Sequence, residues 1–357
     1  MTLLLSNADV RELLTMPECI AALEDAYLEL AQGRGVTRTR SDTLTPTSRP
    51  DALYSLKSMD GVIPKLGVGA VRINSDIIIW PTRQGHPRRE KVPAAPGGRW
   101  VGLVLLFSSE TGEPLAIFPD GYLQRLRVGA TNGFGAKYLA RKDAETVGLL
   151  GSGWQAGGQV MAICAVRSIR RVRCYSPNRE HREAFARELS KEVSVEIQPV
   201  GSPEEAVRGA DVVMCATSSI EHVFFERWVE PGMHLSSIKR PEIEPAAIRR
   251  ADRTVVHTHD ATPMHFTTPG LTVPEKVAGK GWRLAEEIDF GALPDLKDLI
   301  AGTVPGRTAP GEVTCFLNNL GLGYQFAAAG AVVYRKASER GVGRELPTEW
   351  FTQDVHP

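Results

Sequence analysis

Apolar positions recur in two different rhythms along this chain. After Pro17, a residue suited to a first helical turn, Ile20, Leu23, Ala26, Tyr27 and Leu30 share one helical face, and Gly33 and Gly35 end the run. A short strand and a capped turn at Ser6 to Asp9 precede it. From about Leu53 to Phe118 the rhythm is that of strands. Gly67 to Ile79 is β-branched and apolar, and Trp100 to Phe107 and Pro114 to Phe118 read as a hairpin about the turn Ser108 to Glu113. A helix over about Tyr122 to Ala140 leads into strands that alternate with helices. Strands are expected at Thr146–Leu150, Arg171–Tyr175, Val193–Val200, Asp211–Ala216, His234–Ile238 and Arg253–His257, and helices at Gln155–Val166, Glu180–Leu189 and Pro203–Arg208. That alternation predicts βαβ units and a doubly wound parallel sheet. A last apolar helix is expected from about Cys315 to Ser338, packing back on the first part of the chain.

Composition narrows the class. With 357 residues and a formal charge of zero, the chain suits two domains, and nothing in its balance calls for nucleic acid or an anionic membrane. No apolar run reaches the roughly 20 residues that span a bilayer, and the opening Met1-Thr-Leu-Leu-Leu lacks the basic region of a signal peptide. Five scattered cysteines without a CxxC pair read as buried thiols in a reducing cytoplasm.

The most specific motif is Gly151-Ser152-Gly153-Trp154-Gln155-Ala156, which follows an apolar strand and opens a helix. In that context Gly151 permits the tight turn, Gly153 lets the backbone approach a pyrophosphate, and Ala156 allows close helix–strand packing. The helix N-terminus supplies N–H donors to the phosphates. This is the signature of a nicotinamide dinucleotide site, with Ala216 and Thr217 at the end of a neighbouring strand in the cofactor-binding set. NAD-binding chains place a carboxylate at the end of the second strand, on the ribose 2′-hydroxyl. Here Cys174-Tyr-Ser-Pro-Asn-Arg179 carries none. Ser176, Asn178 and Arg179 suit a 2′-phosphate better, so NADP(H) is expected over NAD(H). The alternative for Arg179 is a solvated first-turn residue.

Thr111-Gly-Glu-Pro-Leu115, Leu126-Arg-Val-Gly-Ala130 with Ala136-Lys-Tyr-Leu-Ala140, the glycine turn, Glu205-Ala-Val-Arg-Gly-Ala-Asp211 and Thr314-Cys-Phe-Leu-Asn-Asn-Leu-Gly321 together resemble the ornithine cyclodeaminase/mu-crystallin family over nearly the whole chain. The resemblance implies a Rossmann domain over 128–309 and a discontinuous α+β substrate-binding and dimerisation domain over 1–127 and 310–357. It implies a homodimer that binds a small amino or imino acid between its domains and moves hydride to or from a carbon bearing nitrogen. It also implies a carboxylate grip by two arginines and a strand lysine. Arg40, with Arg38 as the alternative, takes the first place and Arg127 the last.

Two positions depart from the family pattern. Gly69 stands where the strand lysine is expected, and Lys57 on the preceding segment is expected to reach into the space this leaves as a substrate-binding and catalytic residue; otherwise it is a solvated lysine. Arg72, three residues on, is expected on the opposite face from position 69. After the strand ending at Ile238, Lys239-Arg240-Pro-Glu242 replaces the segment in which cyclodeaminases carry a catalytic aspartate. Lys239 then becomes a general acid, a ligand for a further anion, or a solvated side chain with Arg240.

Other candidates carry less. His257-x-His259-Asp260 lacks the further ligands a metal needs and reads as a polar cleft lining. Asp120 is expected to cap the next helix or orient Arg127. The basic insert with Arg83, Arg88, Arg89 and Lys91 reads as a solvated loop, with phosphate binding or a lid as alternatives. The expected function is an NADP(H)-dependent imine or ketimine reductase or amino-acid dehydrogenase. An ornithine-type cyclodeaminase and a non-catalytic binder of cofactor or small ligand are the rivals.

Overall fold

In the computed structural model, which describes residues 1–83, 86–87, 89–219, 221–239, 242–259, 263–271 and 288–355, the two apolar rhythms become two sheets. The larger sheet has ten strands. Its main path runs Met264–Thr267, Ser41–Pro46, Ala52–Ile63, Val68–Ile79, Val101–Ser108, Pro114–Pro119, Thr2–Leu4 and Arg344–Leu346. Val36–Thr37 and Glu90–Val92 pair at its sides. The hairpin between Val101–Ser108 and Pro114–Pro119 forms as expected.

Period-2 alternation gives this sheet two unlike faces. Along Val68–Ile79 the even positions, Val68 to Ile78, are buried and the odd ones are half-exposed. The inner face packs on helix Tyr324–Arg340, which also lies against helix Met16–Ala31. The outer face is apolar too, with Leu56, Val62, Val101 and Leu103 exposed beside Val71, Ile73 and Leu105.

The second sheet is wholly parallel, in the order Glu196–Pro199, Arg171–Tyr175, Thr146–Leu150, Val212–Cys215, His234–Ser237, Thr314–Leu317 and Arg253–Val256. The strand order reverses between Thr146–Leu150 and Val212–Cys215, where open α/β sheets hold ligands at their carboxyl ends. The helix expected from Cys315 is a correction. Thr314–Leu317 is a strand of this sheet, and the helix begins only at Tyr324. The segment 310–357 therefore leaves the parallel sheet after Leu317, not at 310. Met264–Thr267, from within 128–309, pairs instead with Ser41–Pro46 in the larger sheet.

Helix Gly121–Leu139 joins the two halves. It packs on helix Trp154–Val166 so closely that a methyl group at Gly129 would strike the Gly158 carbonyl. Within it, buried Asn132 donates to Ser236 Oγ at 2.8 Å and the Ser237 carbonyl at 3.2 Å, and accepts from Asn318 Nδ2 at 2.6 Å. Replacing it with the near-isosteric leucine would leave several buried polar groups without partners, each costing about 1–3 kcal/mol. Asn132→Leu is expected to lower unfolding free energy by about 3 kcal/mol in urea titrations; an unchanged midpoint would mean that water replaces the network.

Candidate active site

The glycine turn folds as its sequence requires. Gly151 has φ 119°, and a side chain there would run into the Ala216 carbonyl. Around Gly153 the space a side chain would take is open. The Trp154–Val166 helix that follows has no side-chain N-cap and no acid in its first turn, so its leading N–H groups remain for an anion. A cavity of about 860 Å³ opens here. Of the expected cofactor residues, Gly151, Ser152, Gly153, Trp154, Gln155, Ser176, Asn178, Ala216 and Thr217 line it.

Two expected residues do not. Ala156 is fully buried in the core of the parallel sheet, where its small size serves packing. Arg179 turns back to Glu183, its Nε donating at 2.7 Å one helical turn on, because an exposed i,i+4 carboxylate is its nearest counter-charge. His181, which the sequence did not single out, lines the cavity and lies 3.1 Å from Ser152 Oγ through Nδ1.

A second cavity of about 370 Å³ adjoins the first, and Ile238 lines both. Arg40, Lys57, Arg127 and Lys239, drawn from four separate segments, all line it. Arg38 does not; it pairs with Asp60. Arg127 is buried, donates to Gln325 Oε1 at 3.0 Å and stands 4.9 Å over the Phe326 ring. Burial, then the nearby Arg72 guanidinium, pushes it down to about 9. An arginine stays protonated at neutral pH even so, and the shift marks a buried cation short of negative charge. Arg40 makes a bidentate pair with Asp42, both contacts 2.9 Å. Lys239 donates to the Ser219 carbonyl, and burial lowers its pKa. Beneath it, buried Glu242 accepts from the Thr217 amide at 2.6 Å and the Ile238 amide at 3.1 Å, tying the walls of the two cavities together. Arg240 lies outside the described residues.

The sheet register corrects the expectation for Lys57. It faces Asn74 across the Ala52–Ile63 and Val68–Ile79 pair, while Gly69 faces Val62 five rungs away on the outer face. Lys57 is thus in the cavity, but not in place of a side chain at 69. It donates to Asp76 Oδ2 at 2.7 Å, and burial pulls its pKa down to about 8. The residue missed is Arg72. It is on the opposite face from Gly69, as alternation requires, and that face is the one lining the cavity. Its Nε donates to Asp120 Oδ2 at 2.7 Å. Asp120 therefore orients Arg72 rather than Arg127, and leaves helix capping to Asn7 Oδ1, which accepts from the Tyr122 amide at 2.8 Å. The signal was present: Arg72, Asn74 and Asp76 alternate with Val71, Ile73 and Ile77, marking a polar-lined face.

The basic insert is not merely solvated. Arg89 and Lys91 line this cavity, Lys91 at 2.9 Å from Asp76 Oδ1. Arg88 and the Arg83 side chain lie outside the described residues. His257 is not a cleft lining either. It is buried, with Nε2 2.5 Å from the Tyr27 hydroxyl, and it lines neither cavity. His259 contacts the Leu293 carbonyl, and Asp260 lies outside the described residues.

Known proteins with this architecture agree on a family. The sequence profile of the Ornithine cyclodeaminase/mu-crystallin family matches residues 1–341. A Delta(1)-pyrroline-2-carboxylate reductase of Bacillus cereus is 30% identical over 350 residues, 96% of this chain and 99% of that protein. The Thermococcus litoralis Delta(1)-pyrroline-2-carboxylate reductase, solved in complex with NADH and L-proline, superposes with a TM-score of 0.79 at 29% identity, over 97% of this chain and 100% of that one. The iminosuccinate reductase of Paracoccus denitrificans, solved with NAD+, shares the fold at a TM-score of 0.75 and 23% identity, over 97% and 99% of the two chains.

Burial holds His257 and His234 at about 3, against an ordinary 6.5. Below pH 6.5 the unfolded chain takes up protons that the folded chain refuses, so stability falls with pH from 6.5 toward 3, by up to about 1.4 kcal/mol per histidine per pH unit. Urea midpoints should be flat above pH 7 and drop between pH 6.5 and 5. His257→Gln should drop less, and an equal drop would count against the assignment.

Proposed function

The chain belongs to the ornithine cyclodeaminase/mu-crystallin family, and from that premise we propose that it is an NADP(H)-dependent oxidoreductase acting on the C–N bond of a small imino or amino acid. The observation that carries this reading is the junction at Ile238, where the cavity at the Gly151–Gly153 turn meets one lined by Arg127 and Arg72. When bound, the nicotinamide supplies hydride to the imine carbon. Arg127 grips the substrate carboxylate through its guanidinium fork, held in place by Gln325 and Phe326. Arg72, fixed by Asp120, adds positive charge behind it. Lys239, at the edge shared with the cofactor cavity, protonates the imine nitrogen before the hydride arrives, so that reduction proceeds on the iminium; burial makes it a better acid than a solvated lysine.

The cyclodeaminase reading is weaker. Among the described residues the cavity is lined by one carboxylate, Asp42, and Arg40 already occupies it. The preference for NADP(H) rests on Ser176 and Asn178 lining the cofactor cavity without a carboxylate in 174–179; Arg179 no longer contributes to it. The five cysteines are free, which supports a cytoplasmic setting, and no described helix is long and apolar enough to cross a membrane.

Assays should follow NADPH and NADH oxidation over cyclic ketimine acids and 2-oxo acids with amines. Turnover faster with NADPH is expected, and Arg127→Met should lower kcat/KM about 100-fold, the equivalent of about 3 kcal/mol. A preference for NADH would reverse the cofactor assignment. Tight NADPH binding with no turnover would leave a binding protein.

The exposed apolar outer face of the larger sheet supports a homodimer formed through it. Light scattering should give about twice 38.9 kDa, and Leu103→Glu should yield folded monomers. A dimer indifferent to that change would place the interface elsewhere.

A further inference from the structure

We infer that the substrate carries two anionic groups: one carboxylate on the reacting carbon and a second carboxylate or phosphate several bonds away. The inference rests on the reductase reading and deepens it by naming the substrate class.

The inner positions of the Val68–Ile79 strand set out the charges in a row. Arg72, Asn74 and Asp76 follow one another at two-residue steps, about 7 Å each. At the Arg72 end two guanidiniums, Arg72 and Arg127, stand over one ring, Phe326, with one carboxylate, Asp120, to offset them. At the Asp76 end two ammoniums, Lys57 and Lys91, share the single carboxylate of Asp76, at 2.7 and 2.9 Å. Each end therefore holds one positive charge more than it neutralises. Arg89 lines the same cavity and adds to the surplus that Lys57 feels, while Asp42, across the sheet from Lys57, is occupied by Arg40.

Lys57 and Asp76 are almost wholly buried, their side chains 7% and 0% exposed. Lys57 shares its one buried carboxylate with Lys91, whose side chain is 35% exposed, so this end keeps a net positive charge beside the cavity. A monocarboxylate held by Arg127 would satisfy the first end and leave the second in that condition. A dianion spanning the row satisfies both.

The test uses the cofactor-loaded enzyme and calorimetric titration with butyrate, glutarate and 3-phosphonopropionate. Turnover of 2-oxobutyrate and 2-oxoglutarate with ammonia is measured in parallel. The two dianions are expected to bind at least ten-fold tighter than butyrate, and which of them binds tighter identifies carboxylate or phosphate as the second group. Lys57→Gln should erase the dianion advantage while butyrate binding stays within two-fold, and Lys57→Arg should restore it. Should Lys57→Gln fail to fold, Lys91→Gln makes the same comparison from the exposed side. Butyrate binding as tightly as glutarate, or a variant that weakens all three alike, overturns the inference. Discrimination between anions without turnover of any imine would instead overturn the reductase reading.

Discussion

The close approach of helix Gly121–Leu139 to helix Trp154–Val166 is the constraint on which both cavities depend. Glycine at 129 and 158 lets the two backbones meet, and the Asn132 network ties the first helix to the parallel sheet. The same two helices carry the two critical ends of the molecule. One presents Arg127 to the smaller cavity; the other begins at the glycine turn and aims its free N–H groups into the larger one. Separating the helices by the width of a side chain would displace the anion grip from the dinucleotide turn, and hydride transfer tolerates little misplacement.

Electrostatics supply the second level of organisation. Burying arginine and lysine is unfavourable unless carboxylates accompany them, and Asp42, Asp76 and Asp120 do so. Their number is smaller than that of the cations facing the cavity, so the folded protein holds a deficit of negative charge at a defined place. That deficit is what a small acidic ligand would fill, and it explains why so many basic side chains can converge without disrupting the sheet that bears them.

Much of this was legible in the sequence, for identifiable reasons. The Gly151–Ala156 turn is local: its chemistry and its fold are set by the same six residues. Arg127 was legible because its motif opens a long helix whose position is fixed by the strands on either side. The remainder depends on pairing that no single segment encodes. Strand register separates Lys57 from Gly69 by five rungs, and alternation gives the face of Arg72 without showing that this face lines the cavity. Arg179 was claimed by Glu183, a local competitor one turn away. Thr314–Leu317 is a short apolar run, and such runs do not distinguish a buried strand from the start of a buried helix. The family that the motifs resembled is the one whose profile spans the chain.

The charge state of the reacting substrate connects these observations. A protonated imine bearing one carboxylate is a zwitterion with no net charge, and a cavity with surplus cations offers its carboxylate a partner but opposes its iminium. Adding a second anion at the Lys57 end makes the whole substrate net negative, so attraction at both ends exceeds the repulsion at the centre. Reduction then discharges the iminium as hydride arrives, and the surplus that disfavoured the cation before the reaction favours its loss during it. On this view the same excess of buried positive charge selects the substrate and lowers the barrier, because its repulsion of the bound iminium is partly relieved in the transition state.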